Sequence, residues 1–314
     1  MSRNMLVEGE WRTDLDETSD GEFVRDESVF RNRIGTQEHP AKEGRYHLYV
    51  SRACPWAHGA IMARRILGLT DCITMDVVDP VREDMGWRFS PGKQGCGPDS
   101  IHGYSYLMDV YCHSKEDYTG RVTVPVLYDR EADVIVNNES VEIIRMLCTE
   151  FGDGDLYPEK HRDEIDEVVD ELYDGVNNCV YRAGFAESQD AYETAVGELF
   201  ESLDSWNEEL SGKRYLVGGQ LTLADLRLFQ TLVRFDEVYH NHFRCNVKEI
   251  TDYGSLWPYL RDLYQTPGIG ETVDMSHIKK HYYLSHPGLN PSGIIPVGAD
   301  PAFNEGHGRE SLQG

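Results

Sequence analysis

The chain reads as an α/β domain followed by an all-α domain, on three observations. Tyr46 to Val50 has the composition of a short strand, and a tight turn then leads to a helix opening at Cys54-Pro55. Cys72 to Val78 is a second apolar, β-branched run ended by Asp79-Pro80. Strand, helix and strand within this length form a βαβ unit, with parallel pairing and a right-handed crossover. Beyond the turn-rich Phe151-Gly-Asp-Gly-Asp155 the remaining sequence is patterned for helices, and 314 residues suffice for two domains.

Taken in order, residues 1–44 read as a polar, irregular extension, with Trp11, Phe23, Phe30 and Arg31 as anchors onto the folded body. Gly35, Pro40 and Gly44 argue against a long regular element there. The thiol-bearing domain spans 45–152. Its first helix is predicted from about Trp56 to Leu67, with Ala60, Ile61, Ala63, Ile66 and Leu67 inward and Gly68 at the C-cap. Residues 81–118 form an insertion rich in Gly, Ser and aromatics, among them Trp87, Tyr104, Tyr106 and Tyr111. These are either ligand contacts or packing of the insertion onto its own domain. Val122 to Tyr128 and Val134 to Asn138 read as strands, and Pro125 is a candidate cis proline. A helix opens at Glu139-Ser140 and runs to about Cys148. The helical domain spans 153–284, with helices over about Pro158 to Asn177, Ser188 to Ser211, Leu223 to Tyr239 and Leu256 to Gln265. Thr222-Leu-Ala-Asp225 has the form of an N-terminal capping box, so Asp225 is a folding determinant rather than a catalytic acid. Residues 285–314 form a polar, partly extended tail.

Cys54 is the chemical focus. Proline suits the first position of a helix, because its missing N–H would be unpaired there anyway. That puts Cys54 at or next to the N-cap, facing first-turn N–H groups that stabilise a thiolate; such positions bring cysteine pKa values from ~8.5 to roughly 3.5–7.5. The motif Cys-Pro-Trp-Ala lacks a second cysteine, so an oxidised Cys54 needs a thiol from elsewhere. The competing reading is a buried cysteine that only caps the helix. By the same logic, the N-terminus at Glu139-Ser140 is either a capped end or a carboxylate site. Cys112-His113 has no partner pair at a zinc-like spacing, and no metal is expected.

Composition excludes several classes. Net charge is −25, from 55 acidic against 30 basic residues spread along the chain, and no basic stripe exists to release counterions from nucleic acid. Dispersed acidity of this kind fits a halophilic protein whose self-repulsion is screened by salt. No apolar run approaches the ~20 residues of a membrane span, and the first residues have no signal-peptide core. With seven cysteines at irregular spacing, a reducing, cytoplasmic setting is expected.

Several blocks in one order carry a family resemblance: Ser51-Arg-Ala-Cys-Pro-Trp-Ala-His58, Gly86-Trp-Arg-Phe89, Arg121-Val-Thr-Val-Pro-Val126, Asn138-Glu-Ser-Val-Glu-Ile-Ile-Arg-Met146, Val180-Tyr-Arg-Ala-Gly-Phe-Ala186, Leu221-Thr-Leu-Ala-Asp-Leu-Arg-Leu-Phe229 and His281-Tyr-Tyr283. From about residue 5 to 298 the chain resembles the glutathionyl-hydroquinone reductases, the Xi class of the glutathione transferase superfamily. The resemblance implies a thioredoxin-like N-terminal domain, an α-helical C-terminal domain and a homodimer. It also implies that Cys54 takes the sulfur of an S-glutathionyl-hydroquinone and is released by a second thiol. Tyr181 and either Tyr282 or Tyr283 would manage the proton; two adjacent tyrosines cannot both face one site if the local chain is extended. Trp87 would pack on the thiol co-substrate, Arg121 and the Val124 backbone would contact it, and Glu139 with Ser140 would hold its γ-glutamyl end. Glutathione is the implied thiol; γ-glutamylcysteine would satisfy the same grip if the source is a halophilic archaeon. Gly59 stands where the family commonly has arginine, removing a positive charge beside the first helical turn. The competing functions are a general thioltransferase of dehydroascorbate-reductase type and a non-catalytic binding protein of the same fold.

Overall fold

The structure, a computed structural model, describes residues 2–16, 28–152 and 156–312. Phe23, one of the expected anchors, lies outside the described residues. By compactness the described chain divides into two units, one of 2–16, 28–152 and 274–294, the other of 156–273 and 295–312.

The first unit is built on a four-stranded sheet of β3 (Tyr46–Val50), β4 (Thr74–Val77), β5 (Val126–Asp129) and β6 (Val134–Asn137), in the order β4-β3-β5-β6. β3 pairs parallel with β4 across helix α1 (Pro55–Ile66) and antiparallel with β5. This is the expected βαβ unit followed by a hairpin, the thioredoxin-like arrangement. All five residues of β3 are buried, as a strand covered on both faces requires. Helix α3 (Ser140–Glu150) packs on α1. Gly68 follows α1 at φ 68°, the left-handed C′ position foreseen for it. Pro125 follows a cis peptide bond.

Three expectations are corrected in this unit. The N-terminal extension is not irregular throughout, because β1 (Ser2–Val7) and β2 (Glu10–Asp16) form an antiparallel hairpin. Glu8 and Gly9, at φ 50° and 80°, make the two-residue turn whose left-handed pair matches strand twist. Leu6 exchanges backbone hydrogen bonds with Gly120 (3.0 and 2.9 Å), and the Trp11 indole donates to the Asp84 carbonyl at 2.8 Å, so this hairpin is part of the thiol domain. Phe30 anchors as expected, stacked on Tyr118 and edge-on to Tyr111, while its backbone pairs with Asn138 along β6. Second, the 81–118 segment contains helix α2 (Leu107–Ser114) and is pinned by Asp99, which accepts from the Tyr49 hydroxyl (2.8 Å) and the N–H groups of Ile101 and Tyr104. Third, the stretch around His281 departs from the expected domain bounds. It is the helix Met275–Ser285 (α10 in chain order), and Asp274 through Ile294 belongs to the first unit rather than to the helical domain and tail.

The second unit is helical: α4 (Arg162–Leu172), α5 (Cys179–Gly184), α6 (Gln189–Glu209), α7 (Leu223–Arg234), the short α8 (His240–His242) and α9 (Leu256–Gln265). Every residue of α7 is buried, as its apolar run predicts. The described residues of the tail, to 312, form no regular element but are tied down. Phe303 packs on Tyr264 with ring centres 4.6 Å apart, and Arg309 donates to the Leu210 carbonyl at 3.1 Å. Among the described residues no helix is long and apolar enough to cross a membrane.

Candidate active site

β3 ends at Val50 and the chain turns at once. Ser51 accepts from the Cys54 N–H at 3.3 Å through its carbonyl and from the Ala53 N–H at 3.3 Å through its hydroxyl, which closes the turn and delivers Cys54 to the N-cap of α1. The Cys54 backbone is extended (φ −71°, ψ 123°), and its carbonyl takes the first helical bond, from the His58 N–H at 3.0 Å. The sulfur makes no capping hydrogen bond to the first turn, and no acidic side chain stands in that turn to oppose a thiolate. Its S–H instead points to the Val124 carbonyl, 3.6 Å away, just before cis Pro125. Cys54 keeps 9% of its surface accessible, so the sulfur is sheltered but not sealed. Tyr111 supports this loop from behind: its hydroxyl donates to the Thr123 carbonyl at 2.9 Å and accepts from the Thr123 N–H at 3.2 Å. Of the two readings of the insertion aromatics, packing within its own domain is the one Tyr111 fulfils.

Trp87 behaves differently. It is nearly buried and stacks on His281 of α10, with ring centres 5.1 Å apart and planes 17° from parallel. His281 Nδ1 is 2.7 Å from the Pro80 carbonyl; an oxygen there only accepts, so Nδ1 carries the proton. Ser285, one turn on, accepts from the Arg82 N–H at 2.9 Å. α10 is thus fastened to the start of the insertion. His281 stands in a sequence motif that marks no role for it; only the fold brings it to Trp87.

Tyr282 and Tyr283 are both buried on α10. Successive helical residues diverge by about 100°, so the two rings face different neighbours. Tyr282 meets His281 and His286 edge-on at 5.2 and 5.8 Å, whereas the Tyr283 carbonyl accepts from Asn290 at 2.7 Å. Glu139 is the N-cap of α3. Its carboxylate accepts from the Ser28 hydroxyl at 3.0 Å and its N–H donates to Asn137 at 2.7 Å. Ser140 is buried as the first residue of the helix, and the Glu139 side chain makes no capping hydrogen bond to that end. Arg121 is half-buried, and its carbonyl accepts from Tyr118 at 2.9 Å. Tyr181 lies in the second unit, on α5, among Phe185, Tyr239 and Phe243, the last with a ring centre 5.4 Å away. The structure therefore joins Cys54 directly to Val124, and Trp87 through His281 to Tyr282, and sets Glu139 beside Ser140. Gly59 is buried within α1. Two surface hollows in the second unit, near Tyr192 and Arg244 and near Trp206 and Lys213, contain none of these residues.

A thiol opening the first helix of a thioredoxin-like unit, a cis proline beside it and a separate helical unit together define a glutathione transferase architecture. Residues 53–150 match the family model of the glutathione S-transferase N-terminal domain, and residues 189–265 that of the C-terminal domain. The chain is 46% identical to glutathionyl-hydroquinone reductase YqjG of Escherichia coli over 97% of its length and 98% of the relative's. It is also 46% identical to glutathionyl-hydroquinone reductase PcpF of Sphingobium chlorophenolicum, covering 94% and 96%. Among solved structures, a Xi class glutathione transferase from Natrialba magadii is 50% identical with a TM-score of 0.93, covering 99% of this chain and 97% of that one. The glutathione-bound structure of YqjG superposes with a TM-score of 0.90 at 44% identity, covering 98% and 99%. This chain belongs to the glutathionyl-hydroquinone reductase family, the Xi class of glutathione transferases.

Proposed function

We propose that this protein reduces S-glutathionyl-hydroquinones to free hydroquinones, with Cys54 as nucleophile and glutathione or γ-glutamylcysteine as reductant. The observation that carries the reading is the Cys54 sulfur at an N-terminus with no side-chain cap, beside the Val124 carbonyl and cis Pro125. In the first step the Cys54 thiolate attacks the substrate sulfur, forming a Cys54–glutathione disulfide as the carbon–sulfur bond breaks. The electron pair of that bond is taken up by the ring, and a proton ends on the ring carbon. An aryl carbon is a poor leaving group, so the ring must first shift to its keto tautomer, which makes the departing group a phenolate. Tyr181 and one of Tyr282 and Tyr283 are assigned to move that proton. A second thiol then attacks the mixed disulfide, returning Cys54 as thiolate and leaving the oxidised disulfide of the small thiol.

For the thiol co-substrate, the Glu139 carboxylate suits the γ-glutamyl amine, and the start of α3 at Ser140 suits its carboxylate. The Val124 backbone suits the cysteinyl segment, Trp87 would offer its ring, and Arg121 would supply charge. This grip is on the γ-glutamyl end, so γ-glutamylcysteine is accepted as well as glutathione. The protein acts as a cytoplasmic homodimer, and its acidic surface suits high salt. Incubation with a glutathionyl-hydroquinone and, separately, with a simple mixed disulfide tests the reading. Faster release of hydroquinone is expected. Turnover that survives Cys54→Ala would overturn it, and preference for the simple disulfide would point to a general thioltransferase.

A further inference from the structure

Away from Cys54, the first unit gathers a second set of reactive side chains. His102 follows the Asp99 turn, His113 lies in the last turn of α2, and Asp133 sits in the turn between β5 and β6. One ligand atom from each lies within 4.8 Å of the others. His102 Nε2 is 3.2 Å from Asp133 Oδ1, His113 Nε2 is 2.8 Å from Oδ2, and the two imidazole centres are 4.4 Å apart. We propose that these three residues form a site for a divalent cation of the zinc type, which clamps the 81–118 insertion to the β5–β6 turn.

The spacing favours this. A tetrahedral ion bound at about 2.0–2.1 Å to nitrogen and oxygen sets neighbouring ligand atoms roughly 3.3 Å apart. Both histidine-to-carboxylate distances lie within about half an ångström of that value. The surroundings are those of a ligand set. The Tyr104 hydroxyl is 3.0 Å from His113 Nδ1, so a proton on Nδ1 leaves the Nε2 lone pair facing the cluster. Tyr128 donates to Asp133 Oδ1 at 2.8 Å and lies 2.9 Å from His102 Nε2. Two imidazoles and one carboxylate suit zinc, nickel or copper(II) better than calcium or magnesium. The side chains are 17%, 30% and 52% exposed, which leaves water a coordination position. Cys112, next to His113, donates its S–H to the Gly9 carbonyl at 3.6 Å and stands outside the set. Sequence spacing hid the site, because its three ligands come from three segments and match no zinc motif.

The test is calorimetric titration of the chelator-treated full chain with Zn²⁺, together with the absorption spectrum after Co²⁺ addition. Saturable binding near one ion per chain is expected, with cobalt bands of nitrogen–oxygen coordination and no thiolate charge transfer. His102→Ala and His113→Ala should each weaken binding at least about tenfold. His113→Gln keeps a hydrogen-bonding group beside Asp133 while removing the imidazole, and should lose affinity alike; zinc should raise the melting temperature of the wild type but not of these variants. Unchanged affinity in the variants, a thiolate spectrum that places the ion on cysteine, or no binding by the wild type would each overturn the proposal. Hydroquinone release is not required for any of these readouts, so the failure of either proposal is separable from that of the other.

Discussion

The helix ends at Cys54 and Thr222 make an instructive contrast. In the second unit, the N-terminus of α7 is closed. The Asp225 carboxylate, fully buried, accepts from the Thr222 N–H at 2.8 Å and hydroxyl at 3.0 Å, from the Leu216 N–H at 3.0 Å and from the Tyr259 hydroxyl at 2.8 Å. The start of α6 is capped too, by Ser188. In the first unit α10 is capped by Asp274, but the N-cap side chains of α1 and α3, Cys54 and Glu139, make no capping hydrogen bond. A helix start closed by its N-cap side chain commits its dipole to the fold; one whose N-cap makes no such bond can turn that dipole toward a thiolate or a ligand carboxylate. Both kinds were marked in the sequence by short motifs, and only the satisfied hydrogen bonds tell them apart.

Experiments can break this contrast at either end. The largest effect is expected for Cys54→Ala, which should lower hydroquinone release by at least about a thousandfold while costing about 1 kcal/mol of stability or less. Steady-state rates and a denaturant titration read the two quantities. Asp225→Ala should do the reverse. Stability should fall by about 3 kcal/mol as buried donors lose their acceptor, with the folded fraction keeping its turnover per Cys54 thiol. A stable Asp225→Ala protein with damaged catalysis would reverse the assignment.

A pH series sharpens the same point. Burial pushes the Asp225 carboxyl up to about 6 from its ordinary 3.8, although hydrogen bonds from Leu216, Thr222 and Tyr259 work to lower it. A carboxyl raised on folding favours the native state fully below its unfolded value, and that contribution is lost as pH rises through the folded one. Relative to Asp225→Asn, the wild type should therefore lose on the order of 2 kcal/mol between pH 4 and 7. In the first unit the sign is opposite. Burial alone would raise the equally buried Asp129, yet hydrogen bonds from Arg45, His39, Ala132 and Glu131 outweigh it and hold the carboxyl at about 2. Its contribution is present above about pH 4 and lost as pH falls through 2. The smallest effect is expected at Glu139→Gln, a roughly tenfold rise in KM for glutathione with kcat nearly unchanged, if the carboxylate holds the γ-glutamyl amine.

What the sequence revealed follows from how local each signal is. The β3–turn–α1 unit, Pro125, Gly68 and the α7 capping box depend on neighbours a few residues away, and each could be read from composition and spacing. The β1–β2 hairpin was missed because its apolar positions are sparse and the Glu8-Gly9 turn is inconspicuous. α10 was missed because its histidines, lysines and tyrosines give only a faint amphipathic stripe. The role of His281 depends on Trp87, nearly 200 positions away, and no local pattern encodes that pairing.

The return of α10 to the first unit has a consequence for biogenesis. Cys54 and the sheet leave the ribosome early, but the helix that stacks on Trp87 emerges only after residues 156–273 of the second unit have been synthesised. Until then the nascent thiol domain lacks its final helix, so Trp87 acquires its aromatic neighbour only near the close of translation. A nascent chain stalled before residue 274 should therefore keep the Trp87 indole open to solvent quenching, while one released in full should protect it.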